Sequence, residues 1–322
     1  MRFFQKKMVI PALIVAFLFF LPLFFKGEYY LNMLCTLFLY VILSQSWNIL
    51  GGYTGQINVG QAAFFGIGAL VTRLLWTSGI PFVPALLGGG LSSVILSLLI
   101  GIPALRLRGH YFAIGTLSVA WIALITIENI FPGVTFLPGK YVATYSLLPR
   151  YYAFLIILLS AVIVISLAVH SRMGLAMESI RDDEEAAQAA GVNIFKYKVI
   201  AFAISSFFAG LAGGGFSFFH VSYYWSMPFA LMWCFEPILI TFIGGVGTIW
   251  GPIIGSLCYV ALKESFALTM GEINVLIFGA VFIFIILFFP KGIIGIPEKI
   301  REHLTKRMGT NVGRDVLGKS QP

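Results

Sequence analysis

Charge is what this chain of 322 residues has least of: Asp, Glu, Lys and Arg together make up 11% of it, against about 25% in a soluble domain. Hydrophobic residues reach 59% and mean hydropathy is +0.94. That balance excludes a water-soluble fold. In lipid only helices or a closed barrel satisfy the backbone, and apolar runs near twenty residues select helices, since barrel strands alternate over about ten. Cysteine is also scarce. Cys35, Cys234 and Cys258 lie inside apolar runs without zinc or redox spacing, and are expected to be packing residues. Four scattered histidines argue against a metal site, and no Ser/His/Asp or Cys/His set follows from order or spacing. A phosphate loop is missing too. Gly133–Lys140 comes nearest to G-x-x-x-x-G-K-[ST], but has one residue too many and ends in Tyr141. The chain is therefore expected to bind no nucleotide, metal or other cofactor itself and to be no enzyme.

What is present is an all-α polytopic pattern of about ten transmembrane helices. The apolar runs are Met8–Phe25 (read as a retained anchor), Tyr30–Leu50, one following the polar patch Gly51–Gln61 and ending near Ser78, Phe82–Leu105, Tyr111–Ile130, Tyr151–Val169, Val199–Phe219, Trp233–Gly247, Ile249–Leu268 and Ile273–Pro290. Residues 1–290 form the membrane domain, with a charged loop over 170–198, and 291–322 form a basic tail. Placing the N-terminus inside puts sixteen of the twenty-one Lys and Arg residues on the inner side, at the N-terminal arm, Arg106 and Arg108, the charged loop and the tail. The basic excess of +8 is thus read as orienting the chain, both termini cytoplasmic, and as favouring anionic membrane lipids. It is not read as a nucleic-acid surface.

Eight charged side chains crowd into Glu178–Lys198. The spacing predicts a short surface helix between spans. Asp182 caps its start with Glu185 three residues on, and Asp183, Glu184 and Glu185 occupy the first turn, where the dipole favours negative charge. Gly191 supplies the left-handed stop. About eight residues lie between, a rod of roughly 12 Å, with Ala186, Ala187 and Ala190 forming a side that another protein can approach closely. Such a rod suits transmitting a push.

Two glycine-rich stretches stand out. In Gly51–Gln61, the polar Gln56, Asn58 and Gln61 either line a path through the membrane or belong to a tight turn with close helix packing. In the second, Gly244, Gly245, Gly247, Gly251 and Gly255 carry four-residue spacings suited to close helix crossing, which Gly210 and Gly214 repeat. Among ionisable residues in spans, Glu128 and Glu236 are candidates for a polar cavity near the outer side. Arg73, Lys263 and Glu264 are expected to snorkel to the headgroups.

Several segments resemble a known family. Glu185-Ala186-Ala187 with Gly191 looks like the EAA loop of ABC importer permeases. Leu105–Ile114 (LRLRGHYFAI), Gly55–Ala69, Arg181–Gly191 with Tyr197-Lys198, and Gly244–Pro252 (GGVGTIWGP) are similar, in order, to segments of the branched-chain amino acid permeases of the LivH/LivM type, nearer to LivM. Asn58 and Gln61 stand where that group usually has Ser and His, and Trp121 where it often has an acidic residue. The resemblance implies a type II ABC-importer-like permease in a prokaryotic inner membrane. Its partners would be a LivH-like second permease, an extracytoplasmic solute-binding protein, and two cytoplasmic ATPases using ATP and magnesium. The ATPases would dock on a coupling helix carrying Arg181, Asp182, Glu185, Ala186, Ala187 and Gly191. Two other classes compete. A proton-coupled carrier needs acidic residues nearer mid-membrane than these spans place Glu128 and Glu236. A prenyltransferase-type enzyme could hold magnesium diphosphate on Asp182–Glu185, but needs a second acidic cluster on another inner loop.

Overall fold

The computed structural model describes residues 15–23, 27–107, 109–267, 279 and 292–295. Arg108, the expected last span Ile273–Pro290 and the basic tail lie outside these, the few residues at 279 and 292–295 apart. Residues 15–23 are helical and are called α1. There follow α2 (Glu28–Gly51), α3 (Gln61–Thr77), α4 (Phe82–Ala104), α5 (His110–Ile130), β1 (Val134–Phe136), α6 (Gly139–Ala143) and α7 (Leu147–Val169). Next come α8 (Arg172–Asp182), α9 (Glu184–Ala189), α10 (Ile194–Phe219), β2 (Ser222–Tyr224), α11 (Met232–Gly244) and α12 (Trp250–Ala267). Single 3₁₀ turns occupy Met227–Phe229 and Ile293–Gly295.

Five of these helices, α2, α4, α5, α7 and α10, are long and apolar enough to cross a membrane. Their burial divides them into centre and rim. α2 is buried at every position from Phe38 to Gly51, and α10 at every position from Phe208 to Ser217, so neighbours enclose both on all sides. α4 instead turns Leu87, Leu91, Ile95 and Leu99 outward, and α7 turns out Ile156, Ile163 and Leu167. Exposed aliphatic stripes at helical spacing suit contact with lipid or another membrane subunit. α5 is the least enclosed of the five.

Backbone proximity holds the centre together. A Cβ on Gly68 of α3 would lie 2.2 Å from the Gly210 carbonyl oxygen of α10, and one on Gly213 would lie 1.9 Å from that of Phe65. Gly210 also abuts Ser93 of α4, and Gly214 abuts Leu86 and Thr72. Gly244 of α11 faces Gly251 and Gly255 of α12 in the same way. Only glycine lets these helices approach so closely. Gly247 departs from the expected crossing role. With φ +73° it sits in the turn between α11 and α12, where the left-handed backbone itself calls for glycine.

At one end of the bundle β1 and β2 pair antiparallel, Thr135 opposite Tyr223; α8 and α9 mark the other end. Arg73 was expected to snorkel but is fully buried. Its Nη1 donates to the Ser217 and His220 carbonyls and its Nη2 to that of Val221, at 3.1, 3.2 and 2.7 Å, while Nε donates to Thr135 Oγ1. Arg150 donates to the Phe218 carbonyl (2.8 Å), and the Tyr145 hydroxyl donates to that of Phe219 (2.9 Å). The last carbonyls of α10, which a helix leaves unpaired, are thus each met by a side chain, two of them cationic as the helix dipole favours.

The close crossing of α3 and α10 is directly testable. Gly68→Leu should cost about 1–3 kcal/mol or more from overpacking and lower the thermal unfolding midpoint in detergent. Gly139→Leu, where a Cβ meets nothing within 4 Å, should leave it nearly unchanged.

Candidate functional site

The charged loop folds as two helices, not one. Ser171 caps α8 by accepting a hydrogen bond from Met173 N, and α8 runs through Asp182. The chain breaks at Asp183, which is extended (φ −159°, ψ 111°), and the Asp183 carboxylate accepts from the backbone N–H groups of Glu185 and Ala186 at 2.9 and 3.0 Å. The cap of α9 is therefore Asp183, not Asp182, because Asp182 is still helical as the last residue of α8 and Asp183 is the extended residue whose carboxylate reaches the first N–H groups of α9. α9 has six residues, shorter than expected. Gly191 ends this turn at φ +86°. Asp182, Glu185 and Ala186 are exposed, while Ala187 is buried against the bundle.

α9 is tied to the centre by Lys198, a residue of the family-like Tyr197-Lys198 pair whose partner the sequence pattern did not indicate. Lys198 on α10 has a side chain only 3% exposed. Its ammonium pairs with Glu184 Oε1, at the start of α9, and the Gln56 amide donates to the same oxygen at 3.2 Å. One carboxylate thereby joins α9, α10 and the Gly51–Gln61 segment.

The second tie is Arg181. Its Nη1 donates to the Gly52 carbonyl at 3.2 Å, and Gly55 (φ +71°) and Gly247 leave room for its side chain. Gly52 and Gly247 in turn lie against each other and against Asn48. Fully buried at the end of α2, Asn48 donates from Nδ2 to the Thr248 carbonyl and accepts from Gly247 N, both at 2.9 Å. Gln45, one turn earlier, donates to the Ile249 carbonyl at 2.5 Å. The two glycine-rich stretches, nearly two hundred residues apart, thus form one junction beneath α2. Tyr53 sits in it: burial pushes its hydroxyl up to about 12, with Glu178 adding and Arg181 opposing, so it stays a neutral hydroxyl at physiological pH.

Asn58 and Gln61 are fully buried in the same segment. Asn58 Nδ2 donates to Gln61 Oε1 at 3.0 Å, and Gln61 Nε2 donates to Ser46 Oγ at 2.7 Å. Of the three positions where the sequence departs from the family pattern, Asn58 and Gln61 are thus hydrogen-bonded to each other, while Trp121 is exposed on α5.

Toward the hairpin end the structure separates the two candidate carboxylates. Glu128 is exposed on the flank of α5. Glu236 is 7% exposed and lies deeper than its span position suggested. Its Oε1 accepts from the Tyr259 hydroxyl at 2.7 Å and pairs with Lys263 Nζ at 3.2 Å, and Lys263 donates on to the Tyr40 hydroxyl, midway along α2, at 2.6 Å. Lys263 therefore does not simply snorkel, although its side chain remains 39% exposed. Glu264 accepts from the Tyr29 hydroxyl at 3.0 Å. Beside the Glu236–Lys263 pair is a cavity of about 340 Å³ walled by α2, α7, α10, α11 and α12. Burial holds His220 at its rim below the usual imidazole range, against an opposing hydrogen bond to the Phe216 carbonyl. Among the described residues no group of three or more His, Cys, Asp or Glu could hold a metal ion.

A model of the branched-chain amino acid transport system permease component matches residues 29–286. The chain belongs to this family. It is 26% identical over 289 residues to the high-affinity branched-chain amino acid transport system permease protein LivM of Salmonella typhimurium, covering 80% of this chain and 68% of that protein. The LivM protein of Escherichia coli gives the same figures. A probable branched-chain amino acid transport permease protein LivM of Methanocaldococcus jannaschii is 24% identical over 321 residues, covering 81% and 91%. No solved structure matches.

The Lys198–Glu184 tie predicts a specific non-additivity. Glu184→Ala leaves a buried ammonium unpaired and should destabilise by roughly 3 kcal/mol. The double variant Glu184→Gln/Lys198→Met should recover most of that loss in thermal unfolding. Equal loss in the single and double variants would show that the pair does not hold α9.

Proposed function

We propose that this chain is the transmembrane permease subunit of an ATP-driven ABC importer, forming half of the path for branched-chain amino acids or a related small polar solute. The observation that carries this reading is the family match over residues 29–286, in a chain whose α9 is tied through Glu184 to Lys198 of α10 and to Gln56, which follows the end of α2. In this reading ten helices cross the inner membrane of a prokaryote and both termini are cytoplasmic. α9 is the coupling helix: the two ATPase subunits dock on the coupling helices of the permease pair, here through the exposed Glu185 and Ala186 and through Asp182 at the end of α8, with Gly191 setting its end. ATP and magnesium belong to those partners, and a solute-binding protein delivers substrate at the hairpin end.

A LivH-like second permease covers the exposed face of α5, which brings Glu128 to the path between the subunits. Gln56, Asn58 and Gln61 border that path at the α9 end, and Glu236 does so at the other. A proton-coupled carrier would use Glu236 as its proton site, but that carboxylate already has a cationic partner in Lys263.

Purification from native membranes discriminates the readings. ATPase subunits and a second permease should accompany the chain; a single-chain particle that transports alone would favour the carrier. Gly191→Leu and Glu185→Lys should abolish ATP-driven uptake, by at least about tenfold, while leaving the amount of membrane-inserted protein unchanged. Normal uptake by both variants would remove the role given to α9.

A further inference from the structure

The cavity beside Glu236 and Lys263 has two chemically distinct walls. One is apolar, built from side chains that include Leu39, Phe154, Phe216 and Trp233; the other is the ion pair with Tyr40. Its volume of about 340 Å³ lies at the small end of the ~300–1,000 Å³ range of ligand sites, which share this mostly apolar lining with a few placed polar groups. The polar groups have capacity left over. An ammonium has three donors. Lys263 uses one on Glu236 and one on Tyr40, and the third has no acceptor among the described residues. The hydrogen bonds that Tyr259 and Lys263 make to Glu236 both land on Oε1, and a carboxylate offers about four acceptor sites in all.

A cation and an anion 3.2 Å apart select their ligand by charge. A free anion would satisfy Lys263 but repel Glu236, and a free cation the reverse. A ligand bearing both an ammonium and a carboxylate answers both at once and adds no net charge to the interior. The rest of that ligand must be apolar, because a charged side chain against these aromatic walls would be desolvated without a partner.

We infer that this cavity is a binding site for a zwitterionic α-amino acid with an apolar side chain, its ammonium on Glu236, its carboxylate on Lys263 and its side chain among Leu39, Phe154, Phe216 and Trp233. The inference rests on the permease reading above and adds to it a stopping place within a single subunit. Tyr40 and Tyr259 are positioning residues: they hold the ion pair from α2 and from within α12, and so fix where the two charges point. An ethanolamine phospholipid headgroup, which also pairs an ammonium with an anion, is the other source of the same chemistry.

The test uses the full-length chain with the subunits that co-purify with it, in nanodiscs of phosphatidylcholine alone. Radiolabelled leucine should bind by scintillation proximity. Unlabelled leucine should compete, while 3-methylbutylamine, lacking the carboxylate, and 4-methylpentanoate, lacking the ammonium, should compete at least about tenfold less well. Glu236→Gln/Lys263→Met, which removes both charges together and leaves neither unpaired, should weaken leucine binding by a similar factor at equal protein recovery. Equal competition by the two one-charge analogues, or unchanged leucine binding by the double variant, overturns the site. Leucine binding that vanishes only when ethanolamine lipid is added assigns the cavity to lipid and also overturns it. Wild-type proteoliposomes, supplied with ATP and binding protein, that import leucine while the purified chain binds none would reject the site and leave the permease reading standing. A chain that purifies from native membranes without ATPase subunits or a second permease would reject that reading itself.

Discussion

The ammonium of Lys198 has nowhere to go but the Glu184 carboxylate. Its side chain is almost wholly enclosed, and an unpaired charge there costs several kcal/mol. Much of the α9 end follows from that constraint. Glu184 can meet Lys198 only if α9 starts directly after α8, and Asp183 makes the sharp extended break that allows it. With Glu184 fixed, the Gln56 amide reaches the same oxygen, and the Gly51–Gln61 segment is drawn under the bundle. Arg181, at the end of α8, then lies against Gly52 and Gly247, where Asn48 joins both glycine turns to α2. α9 is thus continuous by ion pair and hydrogen bond with α2 and α10, the two helices at the centre.

The hairpin end solves a similar problem with different chemistry. Here α10 finishes, and its terminal carbonyls are met by Arg73, Arg150 and Tyr145. Arg73 reaches past the helix end to the Val221 carbonyl and to Thr135, which fixes the β1–β2 pair on top of the bundle. α10 is therefore held by cations at both ends, by its own Lys198 at one and by arginines of α3 and α7 at the other. The far end of α10 is clamped beside the Glu236–Lys263 cavity, which Phe216, Phe219 and His220 help to line.

The five long apolar helices were legible from the chain, whereas α6 and the division of the charged loop into α8 and α9 were not. α4 and α5 each fall within a residue of their apolar runs at both ends, because Pro81, Gly109 and Pro132 punctuate them. α7 and α10 begin four and five residues before the runs chosen for them, and the cause is charge. Arg150, Lys196 and Lys198 look like boundary residues, yet Arg150 and Lys198 turn inward to partners in the fold. Such partners are invisible to periodicity: Asn48 meets Thr248 and Tyr40 meets Lys263 across about two hundred residues. The glycines showed where helices crowd, but Gly247 proved to serve a turn. The hydrogen bond between Asn58 and Gln61 depends on both side chains turning inward, which their three-residue separation permits but does not dictate.

If α9 and the core move as one body, a distance between them should not change with nucleotide state. Gln188 and Ile57 are both exposed, and Cys35 and Cys234 are buried, so spin labels at Gln188→Cys and Ile57→Cys in a Cys258→Ser background report that distance by pulsed electron resonance. In the assembled transporter the Gln188–Ile57 distribution should stay narrow and centred alike without nucleotide and with ATP trapped. A shift or broadening of that distribution on trapping, with distances inside the bundle unchanged, would contradict the account.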